Sequence, residues 1–447
     1  MPDLHLDVDR SRGVRAGLEH ALREAIRALP PATRLPSSRA LAAELGVARN
    51  TVAEAYSQLV QEGYLTGNSG AGTQTAGATQ APAQHVALVR EPRVRYDFRP
   101  GRPDVSTFPV AAWHAATRQV LNTRPHEALQ YDDARGPAYA RAVLASYLRR
   151  VRGVQAAPDQ IILCTGVRQA IGLFTQTLGR LGVRSFAYER PGQAAIPEQV
   201  KRAGLEARPI PVDKHGAVVE ALGDAGGVLL YPASQFPMGV PLAPARRTEV
   251  LHWARSTGAF VLEDDYDGEF RYDRQPIGSL QGLAPDVVAY AGSASKTLAP
   301  GLRLGWLVVP LPLVDAVIDE KTWSDRHSDS LSQLTLAALI ASGAYDRYVR
   351  SSRLRYRRRR DDLIRALGNY RVNGTAAGLQ TVVDLPPEQD EHAVLRTLAE
   401  HGVETFGLSH FGAGLPPALV LGYGAQPQHA WAPALSALAA GLRSAHL

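Results

Sequence analysis

The chain has 447 residues, of which 45% are hydrophobic and 21% charged, and its formal net charge is +6. This length exceeds one typical domain, so two or three domains are expected. The sequence has neither the ~20-residue apolar run of a membrane helix nor the pattern of a signal peptide, and we expect a cytoplasmic protein. Cys164 is the single cysteine, so no internal disulfide can form, and it is predicted to be a buried core thiol.

Residues 10 to about 75 are predicted to form three short helices and a hairpin. Ser37 is positioned to cap the second helix, and Gly46 supplies the tight turn before a third helix that starts near Asn50. The residues expected to point inward from that third helix are Val52, Ala55, Tyr56, Leu59 and Val60. A hairpin with a glycine-rich tip follows. Helix, turn, helix and hairpin in this order predict a winged helix-turn-helix domain over residues 1–75.

The segment LPSSRALAAELGVARNTVAEAYSQLVQEGYL, residues 35–65, closely resembles the DNA-binding domain of GntR-type bacterial repressors. The resemblance implies a double-stranded DNA operator as partner. It also implies a phosphate contact at the start of the second helix, base contacts at the start of the third, and a wing tip near the backbone or minor groove. The implied contact residues are Arg39, Arg49, Asn50, Thr51, Gly72 and Thr73. A small helical docking module is the alternative interpretation.

Residues 76–96 have no apolar period and are predicted to be a linker. From residue 97 to residue 447, apolar strand patterns alternate with helical stretches, which predicts an α/β domain with a mainly parallel sheet. The predicted strands are Ile161–Cys164, Val228–Tyr231, Phe260–Leu262, Val287–Tyr290 and Gly305–Val309.

Lysine is rare in this chain, and Lys296 lies in the segment SASKTLAPGLRLG, residues 293–305. A lysine amine can form a Schiff base with an aldehyde cofactor, whereas arginine cannot. The neighbouring serine hydroxyls and the guanidinium of Arg303 suit a phosphate group. Pyridoxal phosphate (PLP) requires both kinds of group, so this segment predicts a PLP site.

An acidic segment supports the same cofactor. The predicted strand Phe260–Leu262 leads into Glu263-Asp264-Asp265-Tyr266-Asp267, and the carboxyl end of a parallel strand points into the ligand crevice of an open α/β sheet. Asp264 is the candidate partner of the pyridine nitrogen, and Tyr266 is the candidate partner of the phenolic oxygen. Taken alone, the segment is also compatible with a solvated acidic turn.

Four motifs in order, DFRPGRPD (97–104), TGVRQA (165–170), EDDYDGEF (263–270) and SASKTLAPGLRLG, resemble those of fold-type I aminotransferases. Their combination with a GntR-type domain resembles the MocR/GabR group of regulators. The resemblance implies that Lys296 is the catalytic Schiff-base residue and that Tyr131 reaches the cofactor phosphate of a second subunit, hence a homodimer. The remaining implied cofactor-binding residues are Asp264, Tyr266, Gly166, Val167, Arg168, Ser293, Ser295 and Arg303. No metal site is predicted.

Three positions depart from the pattern of the relatives. Gln193 stands where an aromatic residue covers the cofactor ring, and Ser234 stands where many relatives have histidine. Both remain candidate cofactor contacts. Val420 occupies the place of the arginine that binds the substrate α-carboxylate in true aminotransferases, and loss of that bidentate contact weakens the orientation of amino acids.

Three functions are compatible with these residues. The first is a transcription regulator that senses PLP, alone or with a small amine, and the inferred target genes concern vitamin B6 synthesis or salvage. The second is a working aminotransferase with an appended DNA-binding domain, against which Val420 argues. The third is a DNA-binding protein whose fold no longer holds the cofactor, against which the complete segment from Lys296 to Arg303 argues.

The densest basic run contains Arg353, Arg355 and the four consecutive arginines 357–360. Its helical spacing favours a solvated helix face over a contact with the DNA backbone.

Overall fold

The computed structural model describes residues 6, 8–9, 11, 13–27, 29–68, 72–76, 95–272 and 277–445. The chain divides into two compact units, residues 1–91 and 92–447. Most of the predicted linker, residues 77–94, lies outside the described residues, as do residues 69–71 of the predicted hairpin tip. Within the described ranges, no helix combines the length and apolar character that crossing a membrane requires.

The N-terminal unit contains three helices and an antiparallel hairpin, as the sequence predicts. The elements are α1 (Val14–Arg27), α2 (Ser38–Leu45), α3 (Arg49–Gln61), β1 (Leu65–Asn68) and β2 (Gly72–Thr75). The chain before α2 also pairs with the hairpin, because the N–H of Leu35 donates to the carbonyl of Thr73 at 2.9 Å. This is the order and pairing of a winged helix-turn-helix domain.

The helix boundaries of this unit follow from capping. The hydroxyl of Ser37 accepts a hydrogen bond from the N–H of Ala40 at 3.1 Å, and Gly46 ends α2 in the left-handed region with φ 65°. The prediction for Val60 is wrong, since its side chain is 39% exposed. Val60 follows the buried Leu59 by one residue, about 100° further around the helix, and so points to solvent. The shared core is formed by Leu18, Leu22, Ile26, Leu41, Val52, Ala55 and Leu59.

An eight-stranded sheet forms the centre of the second unit, in the order β4-β11-β10-β9-β8-β5-β6-β7. Strands β10, β9, β8, β5 and β6 are successively parallel, while β11 is antiparallel to β10 and β4, and β7 is antiparallel to β6. The strands are β4 (Ile161–Cys164), β5 (Ser185–Arg190), β6 (Glu206–Asp213), β7 (Gly216–Ala217), β8 (Gly227–Leu230), β9 (Phe260–Asp264), β10 (Val288–Ser293) and β11 (Gly305–Val308).

Alternate residues of each strand point to opposite faces of this sheet, and both faces are apolar. Helices therefore cover both faces. In β4, Ile161 and Leu163 pack into one apolar cluster, whereas Ile162 and Cys164 pack into another. The helices are α4 (Val110–Thr123), α5 (Pro125–Leu129), α6 (Ala138–Arg152), α7 (Val167–Arg180), α8 (Ile196–Arg202), α9 (Pro244–Thr257), α10 (Val314–Asp325) and α11 (Ser330–Ala341).

The C-terminal part of this unit has its own core around an antiparallel sheet of order β12-β13-β16-β15. The first strand of the unit, β3 (Tyr96–Asp97), pairs in parallel with β14 of this part, so both ends of this unit contribute to the same region. The elements are α12 (Ala344–Leu367), β12 (Val372–Asn373), β13 (Gln380–Asp384), α13 (Glu391–Glu400), β14 (Val403–Glu404), β15 (Phe406–Gly407), β16 (Ala418–Gly422) and α14 (Trp431–Ser444).

The basic run on α12 is only partly a solvated face. Arg357 and Arg358 are exposed, but Arg359 is a buried residue at 1% exposure. Its guanidinium donates to the carboxylate of Asp104 at 2.9 Å and to the carbonyl of Gly424 at 2.8 Å. The prediction is therefore wrong for Arg359, because a buried carboxylate elsewhere in the chain pairs with one arginine of the run.

The prediction for Cys164 is confirmed. Its side chain is 1% exposed within an apolar cluster, and burial raises the pKa of the thiol to about 12. A thiol that stays protonated is a poor nucleophile, so Cys164 contributes to packing rather than to chemistry.

Candidate functional site

The segments predicted to bind the cofactor meet at one edge of the eight-stranded sheet. Asp264 ends β9 opposite Ala291 of the parallel strand β10, and the register of β11 joins Gly305 both to Ser293 at the end of β10 and to Cys164 at the end of β4. Because parallel strands end at the same edge, residues far apart in sequence converge there, outside the carboxyl ends of the strands.

A cavity of about 220 Å³ lies at this edge. It brings together most of the predicted cofactor contacts. Its remaining lining residues lie in α7 and α8, and the sequence did not indicate them as contacts. The predicted residues that line it are Val167, Arg168, Gln193, Asp264, Tyr266, Ser293, Ser295, Lys296 and Arg303. The lining residues that were not predicted are Ile171, Ile196 and Gln199.

The three acids at the end of β9 have different environments. Both oxygens of Glu263 accept backbone N–H groups, from Leu280 at 3.0 Å and Gln281 at 2.9 Å, and Asp265 pairs with Arg152. Asp264, in contrast, is 2% exposed, and neither carboxylate oxygen has a hydrogen-bond partner within the described part of the chain. Burial, with a smaller effect from the charge of Asp265, raises the pKa of Asp264 to about 8. The solvated-turn alternative for this acid is therefore wrong.

Lys296 extends from the turn after β10 into the cavity. Burial lowers the pKa of its amine, while the neighbouring carboxylates of Asp267 and Asp264 oppose that effect. A lowered pKa increases the fraction of neutral, nucleophilic amine. The amine donates to the carbonyl of Gly101, a residue that the sequence did not indicate as a contact. Gly101 has φ 71°, and an added Cβ there would lie 2.9 Å from the lysine nitrogen, so glycine is required.

A phosphate-sized recess is formed where β4 leads into α7. Gly166 caps α7 with φ 108°, and the first N–H groups of a helix have no partner within the helix. The guanidinium of Arg303 lies close to Gly166: a Cβ added at this glycine would be 3.0 Å from an Arg303 nitrogen. Arg303 adopts φ 53°, a left-handed conformation that is rare for a non-glycine residue. Helix N-terminus, guanidinium and the hydroxyls of Ser293 and Ser295 together suit a phosphate.

A partly buried polar network adjoins this recess. Gln169 accepts the N–H of Thr165 at 2.8 Å, and its amide donates to the carboxylate of Asp325 at 2.8 Å. Asp325 also accepts from Lys321, whose side chain is fully buried and donates to Ser328 at 2.9 Å. The network therefore ties the turn before α7 to the end of α10. No local sequence pattern indicates this network, because Gln169 and Asp325 are 156 positions apart.

The phenol of Tyr266 is held from the C-terminal sheet. Gln380, in β13, donates to its oxygen at 2.9 Å, and the rings of Tyr231 and Phe236 contact it edge-on. Ser234 is a buried residue of the loop after β8 but does not line the cavity. Tyr131 is 76% exposed and also does not line the cavity of its own chain.

The place of the missing arginine is apolar. Val420 is fully buried in β16, and it belongs to a cluster with Val382, Leu408 and Phe411, which Phe236 also contacts. Its backbone carbonyl accepts from the hydroxyl of Thr405 at 2.7 Å. A carboxylate next to Val420 would lose its hydration without gaining a hydrogen-bond donor from this side chain.

The predicted DNA contacts lie at the surface of the N-terminal unit. Arg39, Arg49 and Asn50 are exposed, and Thr51 is half-buried. Arg49 begins α3, and the preceding Ala48 provides no side-chain cap, so the N–H groups of Arg49 and Asn50 are open to an external acceptor. Gly72 opens β2 with φ 84°, and the half-buried Thr73 follows.

Arg34 is a further cation at the wing that the sequence did not indicate. The backbone of Arg34 forms an antiparallel β-bridge with Gln74. A Cβ added at Gly72 would lie 3.1 Å from the guanidinium of Arg34. Pairing of the chain before α2 with the hairpin is what brings this arginine to the wing, so no local pattern could have found it.

Two family models match this chain. The model of bacterial regulatory proteins of the gntR family matches residues 15–74, and that of aminotransferase class I and II matches residues 101–426. The multiple substrate aminotransferase of Thermococcus profundus is 23% identical, with a TM-score of 0.71 over 80% of this chain and 93% of that protein. The molecule is therefore a DNA-binding domain joined to a fold-type I aminotransferase domain.

Relatives that have both domains specify the family. The HTH-type pyridoxine biosynthesis transcriptional regulator PdxR of Corynebacterium glutamicum is 33% identical over 90% of this chain and 89% of its own. The probable rhizopine catabolism regulatory protein MocR of Rhizobium meliloti is 30% identical over 94% and 92%. The chain belongs to the MocR-type transcriptional regulators of the GntR family.

PLP is the cofactor of this aminotransferase fold. The cavity suits it on the chain's own chemistry, because a buried carboxylate without a partner needs a cation or a donor, and a protonated pyridine nitrogen supplies both. When bound, the cofactor supplies an aldehyde for an amine and a ring that accepts electrons.

Proposed function

We propose that this protein is a transcription regulator whose effector is PLP itself, and that it controls genes of vitamin B6 synthesis or salvage. The observation that carries the proposal is the contrast between two parts of the site. Asp264, Lys296 and Arg303 line one cavity suited to the cofactor, whereas the position for an amino-acid carboxylate is the buried Val420. The target genes are inferred from the similarity to the pyridoxine biosynthesis regulator of Corynebacterium glutamicum.

Each residue of the cavity has a proposed role. Lys296 provides the amine that binds the aldehyde, Asp264 accepts the pyridine N–H, and Tyr266 faces the phenolic oxygen, with Gln380 holding its hydroxyl. The phosphate is bound by the backbone of Gly166, Val167 and Arg168 and by the side chains of Ser293, Ser295 and Arg303. Gln193 covers the ring in place of an aromatic side chain.

The proposed assembly is a cytoplasmic homodimer on duplex DNA. Tyr131 is exposed and does not line the cavity of its own chain, which suits a contact with the cofactor phosphate of a second subunit. A ligand shifts a regulator only through different affinities for its two states. Cofactor bound between two subunits stabilises the dimer. The dimer then fixes the spacing along DNA of the two α3 helices, one from each subunit.

An effector with an additional amine or amino acid is the second candidate. A cavity of about 280 Å³ shares Gln193 with the cofactor cavity and is lined by Arg190 and His410. The guanidinium of Arg190 would donate hydrogen bonds to the carboxylate of such a ligand, in place of an arginine at the position of Val420.

The test is operator affinity of the full-length protein, measured without ligand, with PLP, and with PLP plus a panel of amino acids and amines. A change with PLP alone, without turnover, supports PLP as effector. No change with PLP but a strong response to one amine, abolished in Arg190→Gln, favours the second candidate. Sustained transamination favours an enzyme, and an absent visible cofactor absorbance contradicts the cofactor site itself.

A further inference from the structure

A third cavity, of about 240 Å³, shares no lining residue with the cofactor cavity. It is enclosed by the last turn of α6, by residues 268–271 and by the first turns of α12. Five arginines line it, against only two acidic residues. The arginines are Arg150, Arg152, Arg271, Arg350 and Arg353.

Arg152 is the buried member of this group, at 2% exposure. Its Nε donates to Asp265, and its Nη1 lies 3.4 Å from the carbonyl of Gly268. The buried Nη2 has no hydrogen-bond partner among the residues that the structure describes. An added Cβ at Gly268 would meet Oδ1 of Asp265 and would lie 2.6 Å from this nitrogen, so glycine leaves space beside both groups. A buried donor without an acceptor is costly unless a ligand supplies one.

The two acids do not neutralise the arginines. Asp346 is already paired with Arg150 at 2.7 Å. Burial raises the pKa of Glu269 to about 7, so this carboxyl is largely protonated just below neutral pH. Arg350 and Arg353 lie one helical turn apart on α12 and have no acidic partner in the described ranges. With Arg152 paired to Asp265 and Arg150 paired to Asp346, Arg350 and Arg353 give the cavity an excess of positive charge and of hydrogen-bond donors.

We propose that this cavity binds a compact, multiply charged oxyanion, either inorganic phosphate or the phosphate group of a small free ester. Guanidinium groups arranged around a recess match the oxygens of a phosphate. A DNA backbone would contact the exposed Arg350 at the rim but would not reach the buried Arg152. The recess therefore favours a small free anion.

The experiment uses the full-length, cofactor-loaded protein, reduced with borohydride so that the cofactor phosphate recess stays filled. Inorganic phosphate is titrated by calorimetry at an ionic strength held constant with sodium chloride. The test variant is Arg350→Gln/Arg353→Gln, and the matched control is Arg357→Gln/Arg358→Gln, which removes two exposed arginines of the same helix. We expect saturable binding to wild type and control, and binding weakened about tenfold or more in the test variant. Retained cofactor absorbance and thermal stability establish that both variants fold.

Other outcomes overturn the proposal. Binding seen only before cofactor loading assigns the phosphate to the cofactor recess, and equal weakening in both double variants assigns it to bulk charge. Unchanged phosphate binding in the test variant, together with weaker binding to a duplex of unrelated sequence, assigns Arg350 and Arg353 to DNA. A phosphomonoester such as glycerol phosphate, titrated in parallel, distinguishes the free ion from an ester by the tighter of the two affinities.

Discussion

Helix α3 exposes to water the side chains proposed to contact DNA, whereas the cofactor cavity buries Asp264 and largely encloses Lys296. Arg49 and Asn50 are exposed at the start of α3 and cost the fold little. Asp264 is 2% exposed and has no hydrogen-bond partner among the described residues, so it opposes folding until a ligand compensates it. Removing a surface residue should therefore change affinity alone, whereas changes in the cavity should alter cofactor binding and stability together.

The largest effect is expected for Lys296→Ala. If this amine holds the cofactor, the variant loses the absorbance band of the lysine-bound cofactor and all borohydride-reducible protein adduct, because no other lysine lines the cavity. Absorbance spectra and peptide mapping after reduction measure the loss. Lys201→Ala and Lys214→Ala, at two exposed positions, are controls that keep the wild-type spectrum. An adduct mapped to Lys201, Lys214 or Lys321 would contradict the assignment.

The next effect concerns the DNA-binding surface. Arg49→Ala should weaken binding to the cognate operator by about 1–3 kcal/mol and relax base preference, because a guanidinium can bind guanine through two hydrogen bonds. Arg39→Ala should weaken all duplexes similarly, as loss of a phosphate contact does. Fluorescence anisotropy with cognate and unrelated duplexes measures both variants. Cofactor absorbance and thermal stability should stay unchanged.

Arg27→Ala serves as control for these two variants, since Arg27 is exposed in the last turn of α1, outside the predicted DNA contacts. Operator binding that survives deletion of residues 1–75 would refute the assignment of this unit. An Arg49→Ala protein that loses stability as well would remove the distinction between the two regions.

These two regions also differ in how far the sequence predicted them. The helix-turn-helix residues are contiguous, and caps such as Ser37 and Gly46 follow local rules, so only details such as Val60 were wrong. The motifs likewise predicted the strand ends around Asp264 and Lys296. Gly101 and Gln380 were missed because they reach the site through pairings between distant segments, and no local spacing records such contacts. Strand β6 was missed because prolines 209 and 211 interrupt its apolar pattern.

A moderate effect is expected from the polar network that adjoins the phosphate recess. Gln169→Ala removes the hydrogen bonds that join the N–H of Thr165 to Asp325, and each such bond contributes about 0.5–1.5 kcal/mol. We expect cofactor affinity to fall roughly three- to tenfold while the visible absorbance maximum stays in place, since Lys296 is untouched. Equilibrium titration with PLP measures the affinity. Gln119→Ala, at an exposed position on α4, should bind as the wild type does. A shifted maximum would show that the network acts on the ring rather than on the phosphate.

A separate effect, on stability rather than on ligand affinity, is the pH dependence that Asp264 confers on the cofactor-free protein. Burial raises the pKa of this carboxyl to about 8 in the folded state, whereas an unfolded aspartate titrates near ~3.9. Between these values the unfolded chain has lost a proton that the folded chain retains, so stability falls as the pH rises. Asp264→Asn does not titrate. Its melting temperature relative to wild type should therefore increase from pH 5 to pH 8 and then level off, while Glu388→Gln, at an exposed acid, should show a constant difference. Saturating PLP should remove most of this gain in the melting temperature of the variant relative to wild type. The protonated ring nitrogen stabilises the ionised carboxylate of the wild type, whereas the asparagine of the variant has no charge to pair with it. A difference that does not vary with pH would mean that Asp264 already has a cationic partner before the cofactor binds, and the contrast between a solvated DNA-binding surface and an uncompensated cavity would no longer hold.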